Sequence, residues 1–478
     1  MVKKLINAQI SSITIAAFLL GTTSLISRLL GVFRDRILAG QFGVGDELDI
    51  YFAAFRIPDL VYNLIILGAL SAGFIPIFTE LLQKKDAKSC EIITKGSHQV
   101  AWEFVNNLVN ILIVIVLTIS VLGFIFAPSL MRLITPGFNQ QKINTTVELT
   151  RIMFLSPLIL GLSGIASGAL QSFKRFFAFS LSPIMYNLGI IIGALFFVPI
   201  WGINGLAYGV VFGALLHLLV QMPALLSLGY KYRFYINWKS NKIKRIGSLM
   251  IPRIMSLATL QINLVITTVM ASTLASGSLT IFNLANNLQS FPIGIFGISF
   301  AIAAFPALAV NVTDQKKFIE IFSRTIRNIL FFIVPATVII LTLKAQIIRI
   351  VLGSGQFNWN DTISTYKTLE LFSLSLFAQA VAPLLTRMFF AKEDSKTPFF
   401  IGLISALINI ALSYFFAKKY GVSGLALAFS VSSIINFTLL WVVLRVRIGS
   451  LDEKRILSSV IKFSSASVGC GVVIQGME

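Results

Sequence analysis

A group of charged residues lies within and just after the first long apolar run of the sequence. Residues 11–33 carry a single charge, Arg28, and an arginine inside a membrane span costs at least ~2.5 kcal/mol. Such a side chain must face a water-filled cavity, a binding partner or the membrane interface. Further charges follow at once, on both sides of a glycine-rich turn: Arg34, Asp35, Arg36, Asp49 and Arg56.

The chemistry that suits this group is the binding of phosphate or pyrophosphate. A guanidinium group forms two parallel hydrogen bonds with an oxyanion, so several of them at the mouth of a cavity favour such a ligand. We expect Asp35 and Asp49 to orient the arginines, or to neutralise them when no ligand is bound. The alternative is that Arg28, in the last third of its run, extends to the outer membrane surface.

Other chemistries find little support in the residue types. Cys90 and Cys470 lack the spacing of a redox or metal motif, and two distant histidines, His98 and His217, do not suffice for a zinc site. Neither a pair of carboxylates nor a nucleophile with a neighbouring base is recognisable. We therefore predict no catalytic residue, no metal and no cofactor, and we do not expect an enzyme.

The composition indicates which elements position the charged group. Of the 478 residues, 56% are hydrophobic and 12% are charged, whereas soluble domains have about 25% charged residues. A soluble enzyme and a disordered scaffold are thereby excluded. Apolar runs of ~20 residues recur throughout and predict an all-α polytopic membrane protein with about 13 transmembrane helices. The predicted spans are 11–33, 50–80, 100–127, 149–171, 180–200, 203–228, 247–273, 279–310, 326–350, 366–391, 398–417, 421–444 and 457–475.

The net charge of +20, from 39 basic and 19 acidic residues, has a topological explanation. A soluble domain with this excess would suggest nucleic-acid binding, but here the basic residues lie mostly in short loops that alternate along the chain. The positive-inside rule then predicts a cytoplasmic N-terminus, with the C-terminus outside after about 13 spans. The loop after span six is the richest, with Lys231, Arg233, Lys239, Lys242, Lys244 and Arg245.

An internal repeat is visible in the sequence. Residues 202–207 read GINGLA and residues 421–426 read GVSGLA, 219 positions later. Both segments open a predicted span, and six spans separate them, which is typical of transporters built from two parallel six-helix halves. We therefore predict an N-lobe at 1–229, a C-lobe at 230–447 and an additional span at 448–478. The alternative is that the glycines only allow close helix packing.

Several motifs resemble those of the MurJ (MviN) family, the lipid II flippases of the MOP exporter superfamily. The most specific are SRLLGVFRD at 27–35 and DIYFAAFRIP at 49–58. The resemblance covers nearly the whole chain. Further matches are GALS at 68–71, FIP at 74–76, TPGF at 135–138, ASGS at 275–278, FPIGIFG at 291–297 and the stretch 389–398.

The resemblance implies two six-helix lobes around a central cavity, with C-terminal helices that form a groove for a lipid tail. It assigns the substrate pyrophosphate to Arg28 and Arg34, and it gives Asp49 a functional role. The chain departs from the family where arginines are expected, because it has Tyr62 on span two and Asn287 on span eight. Asn287 nevertheless completes the predicted substrate-binding set. Further departures are Leu67 at an acidic position and a missing fourteenth span. At the sodium site of some relatives, Asn409 matches but Ser413 stands where a carboxylate is expected.

We accordingly predict a multi-pass protein of the bacterial cell (inner) membrane that flips lipid II from the cytoplasmic to the outer leaflet by alternating access. Its partners would be lipid II or another undecaprenyl-pyrophosphate-linked saccharide, together with membrane lipids and no nucleic acid. Transport would be coupled to the membrane potential or to a monovalent cation.

Three alternatives remain. A related MOP flippase would move another undecaprenyl-linked oligosaccharide, and the missing arginines favour it slightly. A multidrug antiporter would need an acidic cavity, whereas span one is basic. A membrane glycosyltransferase would need a catalytic carboxylate in an outer loop, for which Asp361 is the only obvious candidate.

Overall fold

A computed structural model describes residues 13–67, 73–83 and 95–476. Most residues in these ranges are helical and none forms a β-strand, which confirms the predicted all-α polytopic class. Eight described helices are long and apolar enough to cross a membrane, or nine if one pair bent by 45° counts as a single span. The number of about 13 is compatible with this result and stays a prediction, as do the lobe boundaries at 229 and 447.

The helices divide between two compact units. The first unit comprises residues 1–37 and 50–265, and the second comprises 38–49 and 266–478. Helices α1, α2 and α11 each continue from one unit into the other. The helices from α1 to α11 are α1 Ile13–Phe42, α2 Asp46–Val61, α3 Ile75–Gln83, α4 Lys95–Ile134, α5 Gln140–Met153, α6 Leu155–Ser172, α7 Phe176–Ile192, α8 Val198–Trp201, α9 Asn204–Leu219, α10 Met222–Ser227 and α11 Asn241–Ser272.

The remaining helices belong to the second unit. The bent pair is α16 and α17. These helices are α12 Ser278–Pro292, α13 Ser299–Val310, α14 Gln315–Thr342, α15 Lys344–Leu352, α16 Trp359–Ser373, α17 Leu376–Ala391, α18 Lys396–Ile448 and α19 Glu453–Gly476.

Predicted spans two and eight, both unusually long, are interrupted by π-helical segments. These are Tyr62–Leu67 after α2 and Ile293–Ile298 after α12. A π-helical turn inside an α-helix often marks a functional site. The GALS motif at 68–71, the loop lysines Lys84, Lys85 and Lys88, and the first residues of predicted span one lie outside the described residues.

The core of the first unit contains a stack of aromatic rings. Phe74 lies parallel to Phe78, with ring centroids 5.3 Å apart, and Trp102 packs on Phe173 at 5.7 Å. Elsewhere in this unit, α7 and α9 approach so closely that a Cβ on Gly189 would lie 2.1 Å from the Cα of Gly213. Such small residues let membrane helices pack backbone to backbone.

The core of the second unit is built on one face of α14. The buried residues of this face recur every three or four positions, the period of an amphipathic helix. They pack against buried leucines and alanines of α17, such as Leu384 and Ala380. The buried residues of α14 are Phe318, Phe322, Ile326, Ile329, Leu330 and Ile333.

The two copies of the sequence repeat have the same backbone conformation. Gly202 has φ 59° and ψ −148°, and Gly421 has φ 59° and ψ −140°. This left-handed conformation favours glycine, and at Gly421 it divides α18 into the predicted spans eleven and twelve. Three residues later, a Cβ on Gly205 or Gly424 would lie 2.4 Å or 2.1 Å from the backbone of the preceding helix.

Candidate substrate site

Arg34 is the best-defined cation of the predicted group. It lies on α1, where its Nε and Nη2 donate to the same carboxylate oxygen of Asp35, at 3.0 Å and 2.7 Å. The Asp35 side chain is 5% exposed and that of Arg34 is 21% exposed. Asp35 therefore orients and partly neutralises this arginine.

A second residue, Asn187 of α7, holds the other end of the guanidinium group. Its Oδ1 accepts from Arg34 Nη1 at 3.1 Å, and its Nδ2 donates to the carbonyl oxygens of Ser27 and Pro183 at 3.2 Å and 3.1 Å. The donor bonds fix the orientation of the amide and therefore the position of its oxygen. Asn187 is separated from Arg34 by 153 residues, so the sequence offers no signal for this contact.

The hydrogen bonds of Arg34 leave part of its donor capacity free. A guanidinium group has five N–H donors, and three of them bond to Asp35 and Asn187. The other two, one on each terminal nitrogen, have no hydrogen-bond partner among the described residues. An oxyanion can accept both of them at once.

Arg28 lies on the same helix, six residues earlier. Its side chain is half-buried, and no ion pair is found for it within the described part of the chain. Because an α-helix turns about 100° per residue, Arg28 and Arg34 leave the helix axis about 120° apart. Both readings of Arg28, as a ligand-binding cation or as an interfacial one, are compatible with this position.

Arg56 has a partner that the sequence analysis missed. Asp59 lies one turn further along α2, and the two side chains interact electrostatically. Both residues are partly buried in the first unit. The spacing of three residues between opposite charges on a helix is a known pairing signal and would have identified Asp59.

Asp49 caps the start of another helix. Its Oδ2 accepts from the backbone N–H of Gly277 at 2.8 Å, and its Oδ1 accepts from the N–H and hydroxyl of Thr280 at 2.8 Å and 2.7 Å. Asp49 thereby satisfies free donors at the N-terminus of α12, where negative charge is favourable. It belongs to the second unit, whereas Arg28, Arg34 and Arg56 belong to the first.

Asn287 lies on α12, next to a cluster of uncharged amides in the second unit. Gln289 is fully buried; its Nε2 donates to Asn286 at 3.0 Å and its Oε1 accepts from Gln379 at 3.0 Å. Gln379 Nε2 also donates to the hydroxyl of Ser375 at 2.8 Å. The second unit thus holds a group of hydrogen-bonded, uncharged amides beside Asn287.

The predicted candidates for a catalytic carboxylate and a sodium site form hydrogen bonds with neighbouring residues of the fold. Asp361, the one candidate for a catalytic carboxylate, forms a reciprocal capping box with Asn358 at the start of α16. Ser413 donates to Asn409 at 3.4 Å, and both are buried. Across the residues that the structure describes, no three His, Cys, Asp or Glu side chains group as a metal site.

Comparisons with known proteins identify the family of the chain. The family model described as "Lipid II flippase MurJ" matches residues 38–478. A probable lipid II flippase MurJ of Buchnera aphidicola (subsp. Acyrthosiphon pisum) is 30% identical over 423 residues, which are 87% of this chain and 81% of the relative. One from Vibrio cholerae is 29% identical over 441 residues, 89% of this chain and 82% of that protein.

Solved structures agree with the sequence relatives. A lipid II flippase MurJ in an inward closed conformation superposes with a TM-score of 0.81 at 27% identity, covering 96% of this chain and 93% of that one. An inward-facing multidrug resistance MATE transporter of the MOP superfamily shares the fold, with a TM-score of 0.70 at 16% identity over 89% of this chain and 96% of its own. The chain therefore belongs to the lipid II flippase MurJ family of the MOP superfamily, a family of membrane transporters and not of enzymes.

Proposed function

We propose that this protein flips lipid II from the cytoplasmic to the outer leaflet of the bacterial cell membrane by alternating access. In this proposal Arg34 and Arg28 bind the pyrophosphate while the prenyl tail stays in lipid. The family membership supports the substrate. The observation that carries the arginine role is the fixed Arg34 guanidinium, which keeps two N–H donors without a described partner.

Pre-organisation makes Arg34 suited to this role. An unrestrained arginine loses about 2 kcal/mol of rotamer entropy when it is immobilised. The hydrogen bonds to Asp35 and Asn187 already immobilise Arg34 in the folded protein. Ligand binding therefore does not cost this rotamer entropy again. Charge-assisted hydrogen bonds to the pyrophosphate would then add to the affinity directly.

The charge balance of the first unit also favours an anionic ligand. Asp35 neutralises Arg34 and Asp59 interacts with Arg56, while Arg28 adds one positive charge. A pyrophosphate in this region would therefore meet an excess of cations. Asp35 has a second use, because it lowers the cost of burying Arg34 when the site holds no ligand.

The driving force follows from the proposed orientation, with the N-terminus in the cytoplasm. An anionic headgroup moving outward travels down an inside-negative potential, which contributes ~2.3 kcal/mol per charge per 100 mV. Coupling to a monovalent cation is the other expectation, and Asn409 with Ser413 supplies oxygen atoms of the kind such an ion prefers. No cofactor is needed for either.

Arginine replacement tests the proposal. We expect Arg34→Ala to weaken lipid II binding to the purified protein about 10- to 100-fold, because hydrogen bonds to charged groups contribute ~1.5–3 kcal/mol. Arg28→Ala should weaken it as well. Arg132→Ala, at an exposed position in the last turn of α4, is the matched control and should bind like the wild type.

The same variants can be tested in a bacterium depleted of its own lipid II flippase. Rescue by the wild type and by Arg132→Ala, but by neither Arg28→Ala nor Arg34→Ala, is the expected result. Lipid II binding that survives both replacements would refute the arginine role while leaving the family assignment intact.

A second candidate function is the flipping of another undecaprenyl-pyrophosphate-linked oligosaccharide. It is favoured by Tyr62 and Asn287 at family arginine positions and by the amides near Asn287, which suit sugar hydroxyls. Competition between lipid II and other lipid-linked sugars for the purified protein separates the two functions. Stronger competition by a different saccharide would favour this second candidate.

A further inference from the structure

The loop between α10 and α11 is anchored to the rest of the first unit by three asparagines. We refer to residues 230–240 as the anchored loop. Asn106 donates to the carbonyl oxygen of Lys231 at 3.0 Å, and Asn110 donates to those of Arg233 and Tyr235, both at 3.2 Å.

Further bonds complete this anchorage. Asn107 donates to the carbonyl oxygen of Asn237 at 3.1 Å and accepts from its N–H at 2.7 Å. The hydroxyls of Tyr230 and Tyr232 donate to Asn106 and Asn110 at 3.0 Å and 2.7 Å.

These contacts give the loop a defined conformation without secondary structure. Asn106, Asn107 and Asn110 are 2%, 3% and 2% exposed, so each amide would be costly to bury if it lacked partners. Residues 230–237 are neither helix nor strand, and their backbone groups bond to side chains of α4 instead. The anchored loop therefore presents its outward side chains in fixed positions.

The outward side chains are aromatic and basic. Tyr232, Phe234, Tyr235 and Trp238 are 57%, 78%, 47% and 50% exposed. Large exposed apolar rings close together mark an interaction surface. Lys231, Arg233 and Lys239 are their neighbours in the sequence and are exposed as well, and residues 229–245 contain six basic residues and no acidic one.

We propose that the anchored loop is a docking surface for anionic phospholipid headgroups. Tyrosine and tryptophan are enriched where membrane meets water, and clusters of Lys and Arg beside a membrane helix attract anionic lipids. The loop joins a candidate membrane span, Asn204–Ser227, to α11, so it lies within a few residues of the membrane surface. Rings that enter the headgroup layer and cations that meet its phosphates account for both features of the loop.

This surface is separate from the proposed lipid II site. It shares no residue with the arginine group, and phospholipid binding there does not depend on the flipping of lipid II. The proposed orientation places it at the cytoplasmic leaflet, which in many membranes is the anionic one.

The test measures how close Trp238 lies to each kind of lipid. The full-length protein is placed in nanodiscs of phosphatidylcholine and phosphatidylglycerol in equal amounts, with bromine on the acyl chains of one lipid or the other. Quenching that is present in the wild type and absent in Trp238→Phe isolates this ring. We expect stronger quenching by brominated phosphatidylglycerol, and we expect high salt to reduce the difference.

Charge neutralisation then tests the cause. Each Lys or Arg near an anionic surface strengthens binding about fivefold, so the triple variant Lys231→Gln, Arg233→Gln, Lys239→Gln should lose the preference for phosphatidylglycerol. The matched control replaces three exposed lysines elsewhere, Lys367, Lys418 and Lys419, with glutamine and should keep it. Asn107→Ala should weaken the preference by releasing the loop.

Three outcomes would overturn the proposal. The first is equal quenching by the two lipids, and the second is an unchanged preference in the triple variant. The third is the absence of quenching by either lipid, which would assign the exposed rings to a protein partner. None of these measurements involves lipid II, so their failure is distinct from a failure of the flippase proposal.

Discussion

The turn after α6 and the turn after α17 have a residue with the same positive φ but carry opposite charges. Lys174 and Glu393, 219 positions apart, have φ 58° and 61°. The next residues are Arg175 and Asp394. Each turn forms hydrogen bonds with the C-terminal end of a later helix, α10 in the first copy and α18 in the second. The donor lies in the turn in the first copy and in the helix in the second.

In the first copy the turn provides the cation. Arg175 donates to the carbonyl oxygen of Ala224 at 3.3 Å and to the hydroxyl of Ser227. In the second copy the turn provides the anion, and Arg447 of α18 donates to Asp394 and to Thr397. The guanidinium of Arg447 also lies 5.7 Å from the Phe389 ring.

The difference shows which features of a repeat are constrained. Positions that set the chain direction keep their conformation, because a different backbone would displace whole helices. A hydrogen bond between a turn and a helix end needs one donor and one acceptor, and either side can supply either.

The largest effect should come from the close helix packing that both copies of the repeat share at Gly205 and Gly424. Gly205→Ala and Gly424→Ala place a Cβ at 2.4 Å and 2.1 Å from backbone atoms, and overpacking of this kind costs ~1–3 kcal/mol. We expect both variants to unfold at lower temperature in detergent, by similar amounts. Gly402→Ala, where no atom lies within 4 Å of the added Cβ, is the control and should be as stable as the wild type. Tolerance of one glycine replacement but not the other would mean that the two copies are packed differently.

A smaller effect is expected from the amide that positions Arg34. Asn187→Ala removes one hydrogen bond from the guanidinium group; such a bond to a charged group contributes about 1.5–3 kcal/mol. Because Asp35 still holds Arg34, only part of this loss should reach lipid II binding, which we expect to weaken about 3- to 10-fold. Gln379→Ala removes a half-buried amide from the second unit and should leave the pyrophosphate affinity unchanged while altering the preference among lipid-linked sugars. Titration of the purified variants with both kinds of lipid distinguishes these results. Equal losses for every lipid in both variants would contradict the division of roles.

The smallest effect concerns the Asp394–Arg447 ion pair at the turn after α17, and it depends on pH. Burial raises the pKa of the Asp394 carboxyl, but hydrogen bonds from Thr397 and the Arg447 guanidinium outweigh it and lower the pKa to about 2. Since an unfolded aspartate has a pKa of about 3.9, the ion pair stabilises the fold above about pH 4, and this contribution is lost as the pH falls toward 2.

The corresponding variants should therefore differ in their pH dependence. Asp394→Asn should lower the stability at neutral pH by up to ~1 kcal/mol, and the gap to the wild type should close between about pH 4 and pH 2. Arg175→Gln should show a gap that is independent of pH in this range, because Ser227 and the Ala224 carbonyl do not titrate. Thermal unfolding across the pH range measures both. A gap for Asp394→Asn that persists at pH 2 would exclude the ion pair as its cause.

Much of the fold and part of the site could be predicted from residue order. Apolar runs of membrane length define most helices, because a backbone in lipid must satisfy its own hydrogen bonds. The repeat was visible because the glycines at 202 and 421 are needed for a local conformation. The pairing of Arg34 with Asp35 was also accessible, since the two residues are adjacent. Asp59 was within reach by its spacing from Arg56 but was missed.

The remaining features depend on tertiary structure. The sequence by itself determined the class of fold, the charged group on α1 and the turns of the repeat, all of which follow from interactions between residues close in the chain. Only the folded chain decided that Asn187 holds Arg34, that Asp49 caps α12 from 228 residues away, and that asparagines of α4 anchor a distant loop. Those contacts join helices far apart in sequence, and a hydrogen bond between such residues leaves no periodic or local pattern from which it could be inferred.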